Sequence, residues 1–83
     1  MEHIARTPKQ LGNFIRRQRR ALKMNQTALG DKTHLRQATI SAVESGEPGT
    51  QLQTVFDTLA ALGLELVVRP RTNAETADIE DIY

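Results

Sequence analysis

The sequence predicts an all-α fold of four short helices followed by one short strand that pairs across a dimer. Three observations carry that reading. Apolar residues recur at three- and four-residue spacing in four stretches between Pro8 and Leu62. Capping or turn residues bound those stretches: Thr7-Pro8, Asn25, the cluster Ser45-Gly46-Glu47-Pro48-Gly49, and Gly63. After Gly63, the run Leu64-Glu65-Leu66-Val67-Val68-Arg69 is strand-like, ends at Pro70, and finds no partner strand elsewhere in the chain.

The first helix starts at Thr7-Pro8, where threonine caps free amides and proline fits the first helical position. Leu11, Phe14, Ile15, Gln18 and Leu22 then fall on one face, while Arg16, Arg20 and Lys23 lie on others. Arg19 sits at the edge of the apolar stripe, where a charge needs a partner. Asn25 caps a second helix, Gln26 to about Lys32, with Ala28 and Leu29 inward. A turn at Thr33, His34 and Leu35 leads to a third helix from about Gln37 to Glu44, with Ile40, Val43 and Leu35 toward the core. Thr50 is expected to cap a fourth helix whose apolar positions are Leu52, Val55, Phe56, Leu59 and Leu62, and Gly63 ends it. For the strand, pairing with the same segment of a second copy about a two-fold axis is the simplest solution, which assigns Leu64, Leu66, Val67 and Val68 to dimerisation.

At 83 residues the chain has room for one small domain. A domain of this size buries only about 60% of its unfolded surface, so it gains from association. We assign residues 7–69 to that domain and 70–83 to an acidic tail. The net charge of +1 hides an asymmetry: all 11 Lys and Arg lie at or before Arg71, whereas Glu75, Asp78, Glu80 and Asp81 fall in the tail. A basic body suits a polyanion. There is no cysteine, and no apolar run approaches the roughly 20 residues that span a bilayer, so a soluble intracellular protein is expected. No catalytic or metal-ligating cluster and no Gly-rich phosphate loop is present, so neither enzymatic activity nor a cofactor or metal is expected. His3 and His34 stand alone, and His34 reads as a turn residue.

Two helices joined by a tight turn, the second opening with small and amide side chains, form a helix-turn-helix suited to the major groove of double-stranded DNA. Gln37 is the leading candidate for base readout, because a glutamine amide bonds adenine bidentately. Arg36 suits guanine or phosphate, Ala38 offers a methyl to thymine, and Ser41 is a further readout candidate. Asn25, Gln26, Thr27, Thr39 and Ser45 are the phosphate candidates, Gln26 aided by the positive end of its helix. Arg16 and Arg20 read equally well as phosphate contacts or as a solvated face. Ile79, Ile82 and Tyr83 leave three readings open: a disordered end, a docking segment or a degradation signal.

From about Leu11 to Leu62 the chain resembles the XRE-type helix-turn-helix family, which includes the lambdoid phage repressors. Asn25-Gln26 with Leu29, then Thr39-Ile40-Ser41 and Glu44 before Gly46, carry the likeness. It implies a lambda-repressor-like domain and an ion pair between Arg19 and Glu44. Two positions depart from the family pattern: His34 stands where glycine is usual, and Thr33 where an apolar residue is usual. Arg36-Gln37-Ala38-Thr39-Ile40-Ser41, the phase of the fourth helix and the Leu64–Val68 run narrow the resemblance to HipB-type antitoxins. That likeness implies a bacterial, cytoplasmic, nucleoid-associated homodimer that represses its own operon on a palindromic operator and neutralises a HipA-type serine/threonine kinase toxin. A stand-alone phage- or host-type repressor without a toxin is the alternative reading, and a protein-bridging adaptor is a third.

Overall fold

Four helices make up the computed structural model, which describes residues 2–72: α1 Pro8–Ala21, α2 Gln26–Thr33, α3 Gln37–Ser45 and α4 Leu52–Ala61. The first two starts are set by side-chain caps. Thr7 Oγ1 accepts the Gln10 N–H at 3.0 Å, and Asn25 Oδ1 accepts the Ala28 N–H at 2.7 Å. Gly63, with φ +72°, closes α4. The expected Thr50 cap is not formed. Gln51 occupies the N-cap of α4 without a side-chain bond, and the Thr50 hydroxyl donates to the Glu47 carbonyl at 2.9 Å, tightening the loop instead.

Ile15, Leu29, Ile40, Val43 and Leu59, one or two from each helix, form the core with Leu62 at the C-cap of α4, and Leu11, Met24, Leu35, Val55 and Leu64 pack around them. The third helix packs on α1 and α2, and α4 packs on α2. Gly12 makes the first contact possible: a Cβ there would stand 2.6 Å from the Val43 carbonyl oxygen, so any side chain would push α1 off the end of α3. Gln18 lies on the apolar stripe because its Nε2 donates to the Leu62 carbonyl at 3.1 Å, joining α1 to the end of α4.

Several positions assigned to the core from spacing point outward. Leu22 caps α1 and is exposed, because the helix ends one residue before it. Leu52 and Phe56 are one turn apart on α4 and are 65% and 44% exposed. Leu66, Val67 and Val68 are also exposed, and residues 64–72 form neither helix nor strand. A lone strand has no ladder partner within one chain, so its hydrogen bonds must come from elsewhere. Leu64 differs from its neighbours. It is half-buried against the core, and its N–H bonds the Leu59 carbonyl at 2.8 Å. The readings of Ile79, Ile82 and Tyr83 lie outside the described residues, and among those described no helix is long and apolar enough to cross a membrane.

Candidate nucleic-acid interface

The turn between α2 and α3 sets the angle of the reading helix. His34 takes the left-handed conformation there, with φ +60°, so the departure from glycine leaves the turn geometry in place at the expense of local strain. Thr33 is accommodated because its hydroxyl bonds the Leu29 and Gly30 carbonyls at 2.9 and 3.1 Å. Gly30 is a requirement the sequence did not announce. A Cβ on it would stand 2.5 Å from the Leu35 carbonyl oxygen, so the close return of the chain after the turn excludes a side chain.

Beneath the reading helix lies the expected ion pair. Glu44 is 1% exposed and Arg19 is 7% exposed. Arg19 Nε donates to Glu44 Oε2 at 2.6 Å and Nη2 to Oε1 at 3.0 Å, a bidentate fork, while Nη1 reaches the Met24 carbonyl at 2.8 Å. Arg16 Nε adds a longer contact to Oε1 at 3.4 Å. Burial pushes the Glu44 carboxyl upward, but hydrogen bonds from Arg19, Gln26 and Arg16 and the Arg19 charge outweigh it, holding it below its ordinary value. Bonded in turn to Glu44, Arg19 is raised.

This pair is the root of a chain of hydrogen bonds that ends at the candidate reader. Gln26 Nε2 donates to Glu44 Oε1 at 3.1 Å, and Gln26 Oε1 accepts from Gln37 Nε2 at 2.5 Å. The Gln37 amide is thereby oriented while exposed at the first position of α3, with Oε1 and one N–H unbonded among the described residues. Those two groups match the donor and acceptor on the major-groove edge of adenine. Much of the Gln26 amide is thus spent on orienting Gln37. One side-chain N–H and the unpaired backbone N–H of the α2 start remain for an anion.

Arg36, as N-cap of α3, and Ala38 are exposed beside Gln37, while Thr39 and Ser41 are half-buried on the same helix. Asn25 and Thr27 are exposed at the start of α2, although the Asn25 oxygen is committed to its cap. Ser45 is not brought to this cluster. Its hydroxyl bonds the Ala42 carbonyl at 3.2 Å at the far end of α3, roughly 12 Å along the axis from Gln37 and at the negative end of the dipole. A groove of about 560 Å³ adds Thr50, Gln51 and Thr54 to the surface formed by Arg36, Ala38 and Thr39. The acidic Glu47 lines the same groove.

A family model described as helix-turn-helix matches residues 15–68. No curated protein matches the chain. Among solved structures, a HipB–O4 20mer complex is similar at 30% identity and TM-score 0.76, over 89% of this chain and 100% of that one. HipB in a HipA–HipB–O2–O3 complex is similar at 28% identity and TM-score 0.76, with the same coverage of both chains. HipB in a HipB–O1–O2 complex is similar at 31% identity and TM-score 0.77, over 82% of this chain and 99% of that one.

Proposed function

Because the chain belongs to the helix-turn-helix family, we propose that it is a DNA-binding antitoxin: a homodimer that represses its own operon on a palindromic operator and neutralises a HipA-type serine/threonine kinase toxin. One observation carries the DNA reading, the run of hydrogen bonds from Gln37 through Gln26 to the buried Glu44–Arg19 pair. A surface glutamine would ordinarily sample many rotamers. Here its amide bonds the Gln26 amide, an orientation that suits base recognition.

In this reading Gln37, Arg36, Ala38 and Ser41 address bases, and the start of α2 with Asn25, Gln26, Thr27 and Thr39 addresses phosphates. Ser45, at the other end of α3, is a separate phosphate candidate. The exposed Leu66, Val67 and Val68, with Leu52 and Phe56 on α4, supply the apolar surface for a second copy. Pairing of the 64–68 segments would give each its missing ladder and set two reading helices about one DNA turn apart, roughly 34 Å. The kinase partner rests on the similarity to HipB in its complex with HipA.

The test combines mobility shift on the protein's own promoter with co-purification of the neighbouring kinase. Gln37→Ala should cost about 1–3 kcal/mol of operator affinity and leave binding to unrelated duplex nearly unchanged. Equal losses on both duplexes would remove Gln37 from base readout. Operator binding with no capture of the kinase would leave a stand-alone repressor.

A further inference from the structure

A second basic surface lies on α1. Gln10, Asn13, Phe14, Arg16, Arg17 and Arg20 line an open groove of about 350 Å³ along the outer side of that helix. Arg16 is engaged with Glu44, but among the described residues neither Arg17 nor Arg20 has an ion-pair partner. The N-terminal arm borders the groove, with the His3 ring stacked on Phe14 at 4.6 Å.

The chain itself leads to this groove. The described residues end at Thr72, whose carbonyl accepts from the Arg6 guanidinium. Glu2 pairs with Arg69 at 3.4 Å, so the arm holds the 69–72 segment at two points. Arg6 N–H in turn donates to Gln10 Oε1 at 2.6 Å, and Gln10 is the first residue lining the groove. Residues 73–83 follow Thr72, which is linked through Arg6 to Gln10 at one end of the groove. They carry Glu75, Asp78, Glu80 and Asp81 and no cation. Eleven residues span up to roughly 36 Å when extended, against about 15 Å of helix from Gln10 to Arg20, so reach is not limiting.

We propose that the α1 groove is the docking surface for this chain's own acidic C-terminal segment, whose carboxylates pair with Arg17 and Arg20. Three features argue for it: matching charge, two arginines without an ion-pair partner among the described residues, and a described chain end tied through Arg6 to the residue that opens the groove. Held there, the segment screens α1 from other polyanions. The inference is independent of the antitoxin reading.

The chain has no cysteine, so Ala77→Cys gives a single site for a nitroxide on the full-length protein. Paramagnetic broadening should erase the amide signals of Asn13, Arg17 and Arg20 and spare those of Gln53 and Asp57 on α4. The signals should return in about 1 M salt, where the screening length is about 3 Å. They should also return when Glu75→Gln, Asp78→Asn, Glu80→Gln and Asp81→Asn are combined, or in the Arg17→Gln, Arg20→Gln variant. Uniform weak broadening over α1 and α4, or local broadening that survives charge neutralisation, would overturn the proposal. Loss seen only when label and isotope are on different molecules would give the groove to a second copy's tail and overturn the intramolecular form.

Discussion

Two regions of this molecule break the rule of apolar inside and polar outside, in opposite directions. Under the reading helix an arginine and a glutamate are buried. On α4 and the segment after it, Leu52, Phe56, Leu66, Val67 and Val68 are exposed. The first exception is resolved within the chain. Among the described residues no buried side-chain nitrogen or oxygen lacks a hydrogen-bond partner, and the surplus acceptor capacity of Glu44 extends through Gln26 to Gln37. The second has no such resolution among the described residues. A buried charge is tolerated where local partners match it, whereas exposed apolar side chains beside an unpaired strand-like segment call for a partner.

The largest effect should come from breaking the first region. Glu44→Ala strands the Arg19 guanidinium in the core, and removal of one partner from a buried pair typically costs about 3–5 kcal/mol. In a domain this small that approaches the whole stability, so thermal melting should show a lost or greatly lowered transition. Replacing both partners, Arg19→Met with Glu44→Leu, should recover much of it, because two desolvated charges disappear together. If the double variant melts no higher than Glu44→Ala, the deficit lies in packing and not in the orphaned charge. Even the recovered double variant should lose operator affinity, since Gln26 and Gln37 have lost their anchor.

Breaking the second region should leave the monomer folded and change its association. Val67→Pro removes a donor from the proposed ladder, and sedimentation should report a shift from dimer to monomer at the same concentration. Phe56→Ser removes a side chain whose burial in an interface would contribute about 1.5–3 kcal/mol. It should weaken the dimer, with a smaller loss of monomer stability from the part of the ring already buried. A dimer unchanged in both variants would exclude this face from the interface.

The two regions also differ in how far the sequence disclosed them. Arg19 at the margin of an apolar stripe was a visible anomaly, and a family resemblance supplied Glu44 as its partner. The link from Glu44 through Gln26 to Gln37 was not legible, because it depends on the approach of α2 and α3 in space. Leu52 and Phe56 were misread for a related reason: helical spacing identifies an apolar stripe but not whether its own core is wide enough to cover it. Gly12 and Gly30 left no periodic signal, being set by carbonyl groups of other segments.

A gentler test uses acid. The Glu44 carboxyl titrates below its ordinary value when folded, so the unfolded chain takes up the proton more readily. The stabilisation from this group is complete above the ordinary carboxylate range and is lost progressively as pH falls toward the folded value. The melting temperature should therefore fall on the acid side of that range. The Arg19→Met, Glu44→Leu variant should show a shallower acid fall, and equal slopes would show that other carboxylates govern acid unfolding. The apolar region contains no titrating group at Leu52, Phe56 or Leu66–Val68, so Phe56→Ser should leave the wild-type acid slope of the monomer intact.

The smallest expected change touches neither region. His34 holds the α2–α3 turn at φ +60°, a conformation that disfavours a side chain by about 1 kcal/mol, and its ring is exposed. His34→Gly relieves that strain but adds freedom to the unfolded chain, which offsets part of the gain. A net stabilisation of about 0.5 kcal/mol should follow, visible as a melting temperature higher by a few degrees. Because the Gln37–Gln26–Glu44 bonds and the exposed apolar face are left in place, operator affinity and the dimer equilibrium should stay at wild-type values. A changed affinity would mean that the turn residue itself adjusts the angle of α3, and the polar region would then extend one loop beyond its hydrogen bonds.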